Sequence, residues 1–430
     1  MVHFRVGKTD GVSLEMANWK EILTQGGWRV EMCAGPQSVG ADYVIENFEA
    51  QLNPTIFRLD EEAFGGFKTM KRDDFEAEFR RIQEDLSTEF MQVIKQARPD
   101  RVIVSNVFSV GENIAAAGAL APVLKKAKVP TVAVHHDFWW ENVRLRRPSC
   151  EMVADQLERF FPPVNGWLKH AVINRIARLE LARRKGVFAT LLHDCLDFDW
   201  QNEDKNGACK KMLEAYGVTG EDLVVVQGTR IVRRKNIEIS MDLVRRLEKR
   251  VDELGRRRVV LVMAGYAEKR DEEYLEKLRV YARDLGIHTV ELNGLANSYN
   301  QATGEKCDLL GIYPYADVVT YPSEYEGFGN QFLEAIYAQK PIVVYEYPVF
   351  KTDIKPLGFE VISLGDRLRF DPQTRLAKIG DEELAAAAER VVEVVRNADV
   401  RRAMTRKNFA LGAKHFSFAK AAAVWKGLLA

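Results

Sequence analysis

The sequence predicts an α/β protein built from two doubly wound domains, and three observations lead to that class. Short β-branched runs alternate with longer amphipathic stretches in both halves, a pattern typical of parallel sheets flanked by helices. The chain has 430 residues, of which 47% are hydrophobic, and is too long for one compact domain. A polar stretch at 201–207 separates the halves. We therefore expect domains at 1–199 and 200–409, with residues 410–430 returning to pack on the first.

Individual elements follow from runs of apolar residues. The first half predicts strands at 101–104 and 131–134 and a long helix at 72–96. The second half predicts a helix at 236–254 and strands at 223–226, 259–263, 289–292, 318–321 and 342–345. Ligands of open α/β sheets bind beyond the carboxyl ends of the strands. Two such domains facing each other would enclose a central cleft, and we expect the chemistry there.

Composition argues against several function classes. Lys and Arg total 62 and Asp and Glu total 62, so the chain lacks the overall positive field of a nucleic-acid binder. No apolar run approaches the roughly 18 residues of a membrane span, and the polar start is unlike a signal peptide. We expect a cytoplasmic protein that is neither exported nor inserted in a membrane.

Cysteine usage points the same way. The cysteines are odd in number, widely spread and form no C-x-x-C pair, so we expect neither a disulfide framework nor a zinc site. A reducing compartment fits this pattern best. The five residues are Cys33, Cys150, Cys195, Cys209 and Cys307.

The most informative stretch reads VVTYPSEYEGFGNQFLEA and lies in the second half. Gly327 and Gly329 allow a ligand to approach the main chain, in a loop between a strand and a helix that begins near Asn330. The helix N-terminus offers unpaired N–H groups and about half a positive charge, which favours an anion such as a diphosphate. Glu326 and Glu334 can point into one pocket, where carboxylates would bind adjacent sugar hydroxyls. Two solvated acids at a helix start are the alternative.

This stretch resembles the signature of the retaining GT-B glycosyltransferases of family 4, which is Pro-Ser-x-x-Glu-Gly-Phe-Gly followed by a Leu-Glu-Ala helix. The matching residues are Pro322, Ser323, Glu326, Gly327, Phe328, Gly329, Leu333, Glu334 and Ala335. The resemblance implies a GT-B fold of two Rossmann-like domains and a nucleotide-sugar donor. It implies that Glu326 holds hydroxyls of the donor sugar and that Glu334 binds the ribose. The backbone from Gly327 through Phe328 and Gly329 to Asn330 would meet the sugar and the diphosphate.

A second match to that family lies upstream, in VVVQGTRIVRRKNIEISMDLV. Arg230 and Lys235 are the expected pair, which would place two cations on one diphosphate and neutralise its charge as the nucleotide leaves. Arg233 and Arg234 lie between them and fit a solvated basic run. Gly265, which ends a strand in AGYAEKRDEEYLEKL, is similar to the family's strand-to-helix turn and would touch the nucleotide base.

The chain departs from the family pattern in two places. Where relatives often carry a glycine pair after the next strand, it reads YEYPVFKTDIKPLGFEVI. The usual Pro-Asn-Gly after the interdomain crossing is replaced by His193, Asp194 and Cys195. A hinge is still expected at this crossing.

The acceptor side is expected in the first half. Gly11 precedes a predicted helix that Ser13 could cap through the amide of Met16, and the family resemblance places this loop at the acceptor. An ordinary turn is the alternative. The spacing is not G-x-G-x-x-G, which argues against a nicotinamide dehydrogenase.

A second acceptor-side segment reads VHHDFWWENVRLRR and follows a buried strand. The family commonly has a histidine here, near the reacting carbon of the donor sugar, and either His135 or His136 could take that place. Tryptophans beside an acid suit sugar faces and rims. Arginines bind carboxylate or phosphate in bidentate fashion, so we expect an anionic acceptor, with an exposed basic loop as the alternative. The candidate acceptor-binding residues are Gly11, Asp137, Trp139, Arg144 and Arg147, with Arg146 beside them.

Two further patterns have simple structural explanations. Asp197 and Asp199 form a D-x-D, but they lie in the crossing segment and the resembled family needs no metal-bridged diphosphate. We therefore expect no metal and no cofactor. The basic stretch at 169–185 could face anionic lipid, but a solvated face is the favoured explanation.

Taken with the resemblance, these residues imply a retaining hexosyltransferase that uses a nucleotide sugar of the GDP-mannose or UDP-glucose type. The alternatives are a GT-B sugar-nucleotide epimerase and a non-catalytic sugar-nucleotide-binding module. The segments VHHDFWWE and EYEGFGNQFLEAIYA are similar to bacterial synthases of compatible solutes built on glycerate. That similarity implies a small polar, anionic acceptor of the glucosylglycerate type.

Overall fold

A computed structural model describes residues 1–7, 10–50, 53–164, 166–199, 204, 207–292 and 307–430. The chain divides into two compact units. The first comprises Met1–Cys195 together with Phe418–Ala430, and the second comprises Leu196–Ser417.

The first unit alternates strands and helices along the chain. Its strands are β1 (Cys33–Ala34), β2 (Tyr43–Val44), β3 (Val102–Ser105), β4 (Thr131–His135), β5 (Leu168–Val172) and β6 (Thr190–Leu191). Its helices are α1 (Gly11–Gln25), α2 (Pro54–Ala63), α3 (Arg72–Ala97), α4 (Ile114–Ala127), α5 (Glu151–Phe160) and α6 (Arg175–Lys185), with α15 (Phe418–Leu429) at the end of the chain.

These strands form one parallel sheet. Among the described residues, β3, β4, β5 and β6 pair in that order, and Val2 bridges β3 to β1, which pairs with β2. The strands β3 and β4 are buried along their whole length because helices cover both faces of the sheet. Apolar clusters therefore lie on each side, one under α3 and α4 and the other under α1 and α15.

The second unit repeats this architecture. Its strands are β7 (Leu223–Gln227), β8 (Val259–Met263), β9 (His288–Glu291), β10 (Val318–Tyr321), β11 (Ile342–Val344), β12 (Ile362–Ser363), β13 (Arg369–Phe370) and β14 (Ala377–Lys378). Its helices are α7 (Ala208–Ala215), α8 (Ile237–Glu248), α9 (Val251–Leu254), α10 (Glu272–Leu285), α11 (Leu309–Ile312), α12 (Asn330–Tyr337), α13 (Asp381–Arg396) and α14 (Ala398–Phe416).

The strand order of the second unit decides where its loops meet. In the described part of the unit, six parallel strands run in the order β12, β11, β10, β7, β8, β9. The chain therefore builds the sheet in one direction from β7 and then returns to build it in the other from β10. Neighbouring strands that lead in opposite directions form a topological switch point, which here lies between β7 and β10. Open α/β sheets bind their ligands at such a point.

The final helix belongs to the first unit by its contacts. The Trp425 ring meets Trp19 of α1 edge to face, with centroids 5.3 Å apart. The Arg101 Nε donates to the Leu429 carbonyl over 3.1 Å. We expected residues 410–430 to pack on the first unit, but the segment that does so is shorter. The helix α14 stays in the second unit, and only the residues from Phe418 onward join the first.

Two local expectations from the sequence are wrong. The helix expected at 236–254 is broken into α8 and α9, because Arg250 leaves the helical region at φ −126° and ψ 16°. Ser13 does not cap α1. Asp10 is the N-cap: its carboxylate accepts from the Ser13 amide over 3.1 Å and from the Ser13 hydroxyl over 2.9 Å.

The expectation that no cysteines pair is also wrong. Cys209 and Cys307 form a disulfide although they are 98 residues apart. They meet because α7 packs against α11, a contact that cysteine spacing does not reveal. The argument for a reducing compartment from unpaired cysteines therefore fails. Within the described residues, no helix combines the length and apolar character needed to cross a membrane.

Candidate active site

The donor-side motifs meet at the switch point of the second unit. Lys235 lies in the loop after β7 and Glu326 in the loop after β10. The Lys235 ammonium contacts Glu326 Oε1, and the Arg234 Nη1 donates to Glu326 Oε2 over 2.9 Å. The side chains of Lys235 and Glu326 are each only 9% exposed. The loops that carry the two family signatures are thus joined by a nearly buried charge cluster.

The electrostatics of this cluster keep Glu326 ionised. Burial by itself raises the pKa of a carboxyl, but the Lys235 and Arg234 charges outweigh it and lower the pKa of Glu326 to about 2. Burial lowers the pKa of Lys235, while the Glu326 charge opposes that effect. The Arg234 side chain is 40% exposed, as the solvated interpretation expects, but its guanidinium also binds Glu326, a contact which that interpretation left out. The position of Arg234 next to Lys235 in a tight turn was the available signal.

Arg230 has a different partner. Its Nη1 pairs with Glu268 Oε1 over 2.9 Å, and both side chains are about one third exposed. Glu268 follows β8, in the turn that begins with Gly265. A Cβ added at Gly265 would lie 1.7 Å from the Thr229 carbonyl oxygen, so only glycine allows the loops after β7 and β8 to touch. The structure brings Arg230 and Gly265 together, while Lys235 reaches Glu326 instead.

The glycine loop is held tightly by the segment after β11. The Tyr347 hydroxyl donates to the Phe328 carbonyl over 2.6 Å. Gly329 has φ 140°, and a Cβ there would lie 2.5 Å from the Tyr347 oxygen. The Phe328 ring is buried and meets Phe416 edge to face at 5.1 Å. The Phe328 ring is therefore part of the core. The group that this loop can present to a ligand is its backbone, where α12 begins at Asn330.

Glu334 lies on α12 and faces a tyrosine from the other side. The Tyr313 hydroxyl donates to Glu334 Oε2 over 2.7 Å. Burial raises the pKa of Glu334 to about 7, although the Tyr313 hydrogen bond and the Lys235 charge both act to lower it. Lys235 therefore acts on both Glu326 and Glu334, so these three charged groups lie close together at the switch point. Gly327 lies in the same loop.

In the first unit, both candidate histidines are buried and neutral. His135 ends β4, and its Nε2 lies 3.0 Å from the Nδ1 of His170 on β5. His136 stacks on Trp19 at 5.5 Å, and its backbone amide donates to Asn106 Oδ1 over 2.8 Å. Burial lowers the pKa of His136 to about 3 and that of His135 well below its usual value. The His136 Nε2 has no hydrogen-bond partner among the described residues.

The sequence missed a carboxyl cluster near these histidines. Glu15 of α1 accepts from the Trp19 Nε1 over 2.9 Å and from the Cys195 amide over 3.3 Å. Burial raises the pKa of Glu15 to about 7 and that of Asp194 well above its usual value, and the two carboxyls influence each other. Glu15 and Cys195 are 180 residues apart, so no local pattern links them. Gly11 is the exposed first residue of the same helix.

The arginines after β4 do not converge on one point. Arg144 Nη1 pairs with Glu61 Oε1 of α2 over 2.5 Å. The Arg146 Nε donates to the Trp140 carbonyl over 2.6 Å, while Arg147 is exposed. The Trp139 Nε1 donates to the Phe161 carbonyl over 3.3 Å. Arg144, Arg146 and Trp139 are thus each engaged within the unit.

Asp137 and the D-x-D motif complete the sequence candidates. Asp137 is exposed directly after His136. The Asp199 amide donates to Asp197 Oδ1 over 3.0 Å, so this pair forms a local turn. In the parts of the chain that the structure describes, no group of three or more His, Cys, Asp or Glu side chains is arranged to hold a metal ion.

Comparison with known proteins places this geometry in context. Residues 210–358 match the family described as Glycosyl transferases group 1. A mannosylglucosylglycerate synthase of Petrotoga mobilis is 32% identical over 97% of this chain and 97% of its own. A mannosylglucosylglycerate synthase of Thermotoga maritima is 34% identical over 97% of this chain and 96% of its own.

Solved structures agree on the fold. The structure of Anabaena HepE in complex with UDP and glucose superposes with a TM-score of 0.62 at 13% identity, over 99% of this chain and 99% of its own. The fold and the donor-side motifs define a glycosyltransferase of the GT-B type. More particularly, the chain belongs to the family of the two mannosylglucosylglycerate synthases.

Proposed function

We propose that this chain transfers a mannosyl group from a nucleoside-diphosphate mannose to glucosylglycerate, with retention of the anomeric configuration. The substrates are suggested by the names of two relatives that match nearly the whole chain. The observation that carries the chemistry is the buried Glu326 held between Lys235 and Arg234 at the switch point. A charged carboxylate with two cations, beside a glycine loop and a helix N-terminus, suits a sugar attached to a diphosphate.

The donor would bind along the second unit. Glu326 would hold hydroxyls of the hexose, and the backbone from Gly327 to Asn330 would meet the diphosphate. Glu334 would bind the ribose, and the turn at Gly265 would touch the base. Lys235 and Arg230 would neutralise the charge that grows as the nucleotide leaves, because fixed cations stabilise a transition state without reorganising. Arg230 would exchange Glu268 for phosphate, since both side chains are partly exposed.

The acceptor would bind on the first unit. His136 is the better candidate of the two histidines, because 7% of its surface remains exposed, whereas His135 is completely buried against His170. A neutral imidazole can donate to or accept from a hydroxyl of a sugar. Arg147, with its exposed side chain, would meet the glycerate carboxylate, and Asp137, which is also exposed, would accept from an acceptor hydroxyl.

The reaction follows from these roles. The acceptor hydroxyl would attack the donor carbon on the face from which the diphosphate departs, and the departing oxygen would take the acceptor proton. The new glycosidic bond would form as the old one breaks, so configuration is retained. No tightly held metal is needed in this scheme, because Lys235 and Arg230 supply the charge. A cytoplasmic location, where nucleotide sugars are made, is part of the same proposal.

Mass spectrometry of purified protein tests the proposed reaction. GDP-mannose, UDP-mannose and UDP-glucose are each offered with glucosylglycerate, with glycerol or with no acceptor. We expect mannosylglucosylglycerate from a mannose donor only when glucosylglycerate is present, and an α-anomeric linkage by NMR when the donor is α. Glu326→Gln should abolish product. Donor turnover without acceptor would favour an epimerase, and product with glycerol alone would contradict the anionic acceptor.

A further inference from the structure

Tyr313 stands directly behind the residue proposed to bind the ribose. Its hydroxyl donates to Glu334 Oε2 over 2.7 Å, and its side chain is fully buried. A Cβ added at Gly228, which follows β7, would lie 2.8 Å from the Tyr313 oxygen. The tyrosine hydroxyl is therefore fixed between the end of β7 and α12, next to the switch point.

The position of Tyr313 is set by a short, clamped segment. Asp308 caps α11 by accepting from the Gly311 amide over 2.7 Å, and Tyr313 follows α11 directly. Cys307 precedes the cap and is bonded to Cys209 of α7. A Cβ at Gly311 would lie 2.7 Å from the Cys209 sulfur, so the turn rests on the disulfide. Seven consecutive residues, 307–313, thus run from the disulfide to the hydroxyl that meets Glu334.

We propose that Tyr313 is a positioning residue for nucleotide recognition, which holds Glu334 for the ribose hydroxyls, and that the Cys209–Cys307 disulfide holds Tyr313. This inference rests on the proposed ribose role of Glu334. Tyr313 occupies Oε2 and leaves Oε1 as the acceptor for ribose. The carboxylate can then neither rotate nor turn its bonded oxygen outward without losing a buried hydrogen bond.

The charge on Glu334 depends on the same contact. The groups that act on it are Tyr313 and Lys235, and both favour the ionised form against burial. A protonated carboxyl offers a ribose hydroxyl a weaker acceptor than a carboxylate does. Removing the tyrosine hydroxyl therefore raises the pKa of Glu334 further, and the charged acceptor is lost at a higher pH.

The role of Tyr313 is measured by how much more tightly the protein binds a nucleotide with ribose hydroxyls than the same nucleotide without them. The probes are GDP and 2′,3′-dideoxy-GDP, with the uridine pair in parallel, and calorimetry gives the ratio of their affinities. We expect Tyr313→Phe to lower that ratio about tenfold, the effect of one charge-assisted hydrogen bond, while dideoxy affinity changes little. The pH below which the ratio falls should move upward. Tyr315→Phe is the matched control, because that hydroxyl bonds Asp204 over 2.8 Å instead.

The remaining variants separate the parts of the inference. Cys209→Ser with Cys307→Ser should lower the ratio in the same direction, and an unchanged ratio overturns the role of the disulfide. Gly228→Ala displaces the Tyr313 hydroxyl without altering it, and serves if Tyr313→Phe does not fold. An unchanged ratio in a folded Tyr313→Phe or Gly228→Ala overturns the role of Tyr313. If Glu334→Gln also keeps the ratio, the ribose assignment itself fails.

Discussion

Glu326 is the residue on which the donor site depends. Its carboxylate is nearly buried between Lys235 and Arg234, and those cations lower its pKa to about 2. Breaking a buried pair by removing one partner leaves a charge without compensation, which costs more than the pair contributes. The site is therefore sensitive to single substitutions, and Lys235 also influences Glu334.

Lys235→Ala should lower kcat by about a hundredfold and raise the donor KM much less, because a fixed cation matters most when the diphosphate departs. Steady-state kinetics with a mannose donor measures both constants. Lys351→Ala is the matched control, since that lysine pairs with Asp366 at the surface and such pairs contribute little. Wild-type kcat in Lys235→Ala would reduce this lysine to a structural role.

Nucleotide affinity should fall as the pH drops from 8 to 6. The pKa of Glu334 in the unliganded protein is raised to about 7, and a ribose contact needs the ionised form, so protonation competes with binding. The competing protonation sets in as the pH falls through that pKa and is absent well above it. Calorimetry with GDP across this range measures the slope. Glu334→Gln should bind more weakly and show a flat profile, and an equal slope in both proteins would exclude Glu334 as its source.

At the scale of elements, a disulfide in the second unit joins the helix α7 to Cys307, which lies just before α11. The helix α11 spans only Leu309–Ile312 and cannot be stable by itself, since isolated helices of this length do not form. The disulfide to α7 and the Asp308 cap supply what the helix lacks. Cys209 and Cys307 are both about 1% exposed, so the link is part of the core.

Replacing both cysteines by serine should destabilise the second unit by about 2–4 kcal/mol, because the bond restricts a long loop of the unfolded chain. Denaturant unfolding, measured with and without bound nucleotide, reports on that unit, because the nucleotide is proposed to bind and stabilise it. Cys150→Ser is the control, since this half-buried thiol is free. Equal unfolding midpoints for the wild type, the double variant and Cys150→Ser would mean that the disulfide does not stabilise the unit.

At the scale of the molecule, two units of one architecture share the work. The likeness to Anabaena HepE at 13% identity concerns the fold alone, whereas the relatives at 32% and 34% identity show the family. The helix α15 ties the end of the chain to the first unit through Trp425 and Trp19. In the proposed reaction, each unit supplies binding residues, and the cations that would neutralise the diphosphate lie in the second unit.

Activity of the whole enzyme should persist in excess chelator, because Lys235 and Arg230 are expected to replace a metal at the diphosphate. Product formation with and without EDTA is the measurement, after removal of adventitious ions. Modest stimulation by Mg²⁺ is compatible with this expectation. Complete loss that Mg²⁺ or Mn²⁺ restores would move Asp197 and Asp199 into consideration as ligands.

Local sequence determined the class of fold and the position of the donor loop. Buried β-branched runs predict strands such as β8 and β10, and these were found within a residue or two of their expected bounds. The second glycine of EGFG marks a backbone that other residues rarely adopt, since Gly329 has φ 140°. Both signals are local, because periodicity and backbone freedom act over a few residues.

Only the tertiary structure decided which side chains meet. The loop carrying Arg234 and Lys235 reaches Glu326, some 90 residues later, because β7 pairs with β10 although β8 and β9 intervene in the chain. The pairing of Cys209 with Cys307 depends on contacts of the same long range. Burial and the neighbouring charges together then set the pKa of each group, with the charges prevailing at Glu326 and burial at Glu334. Such contacts follow from strand order and helix packing, which are properties of the whole fold and leave no pattern among neighbouring residues.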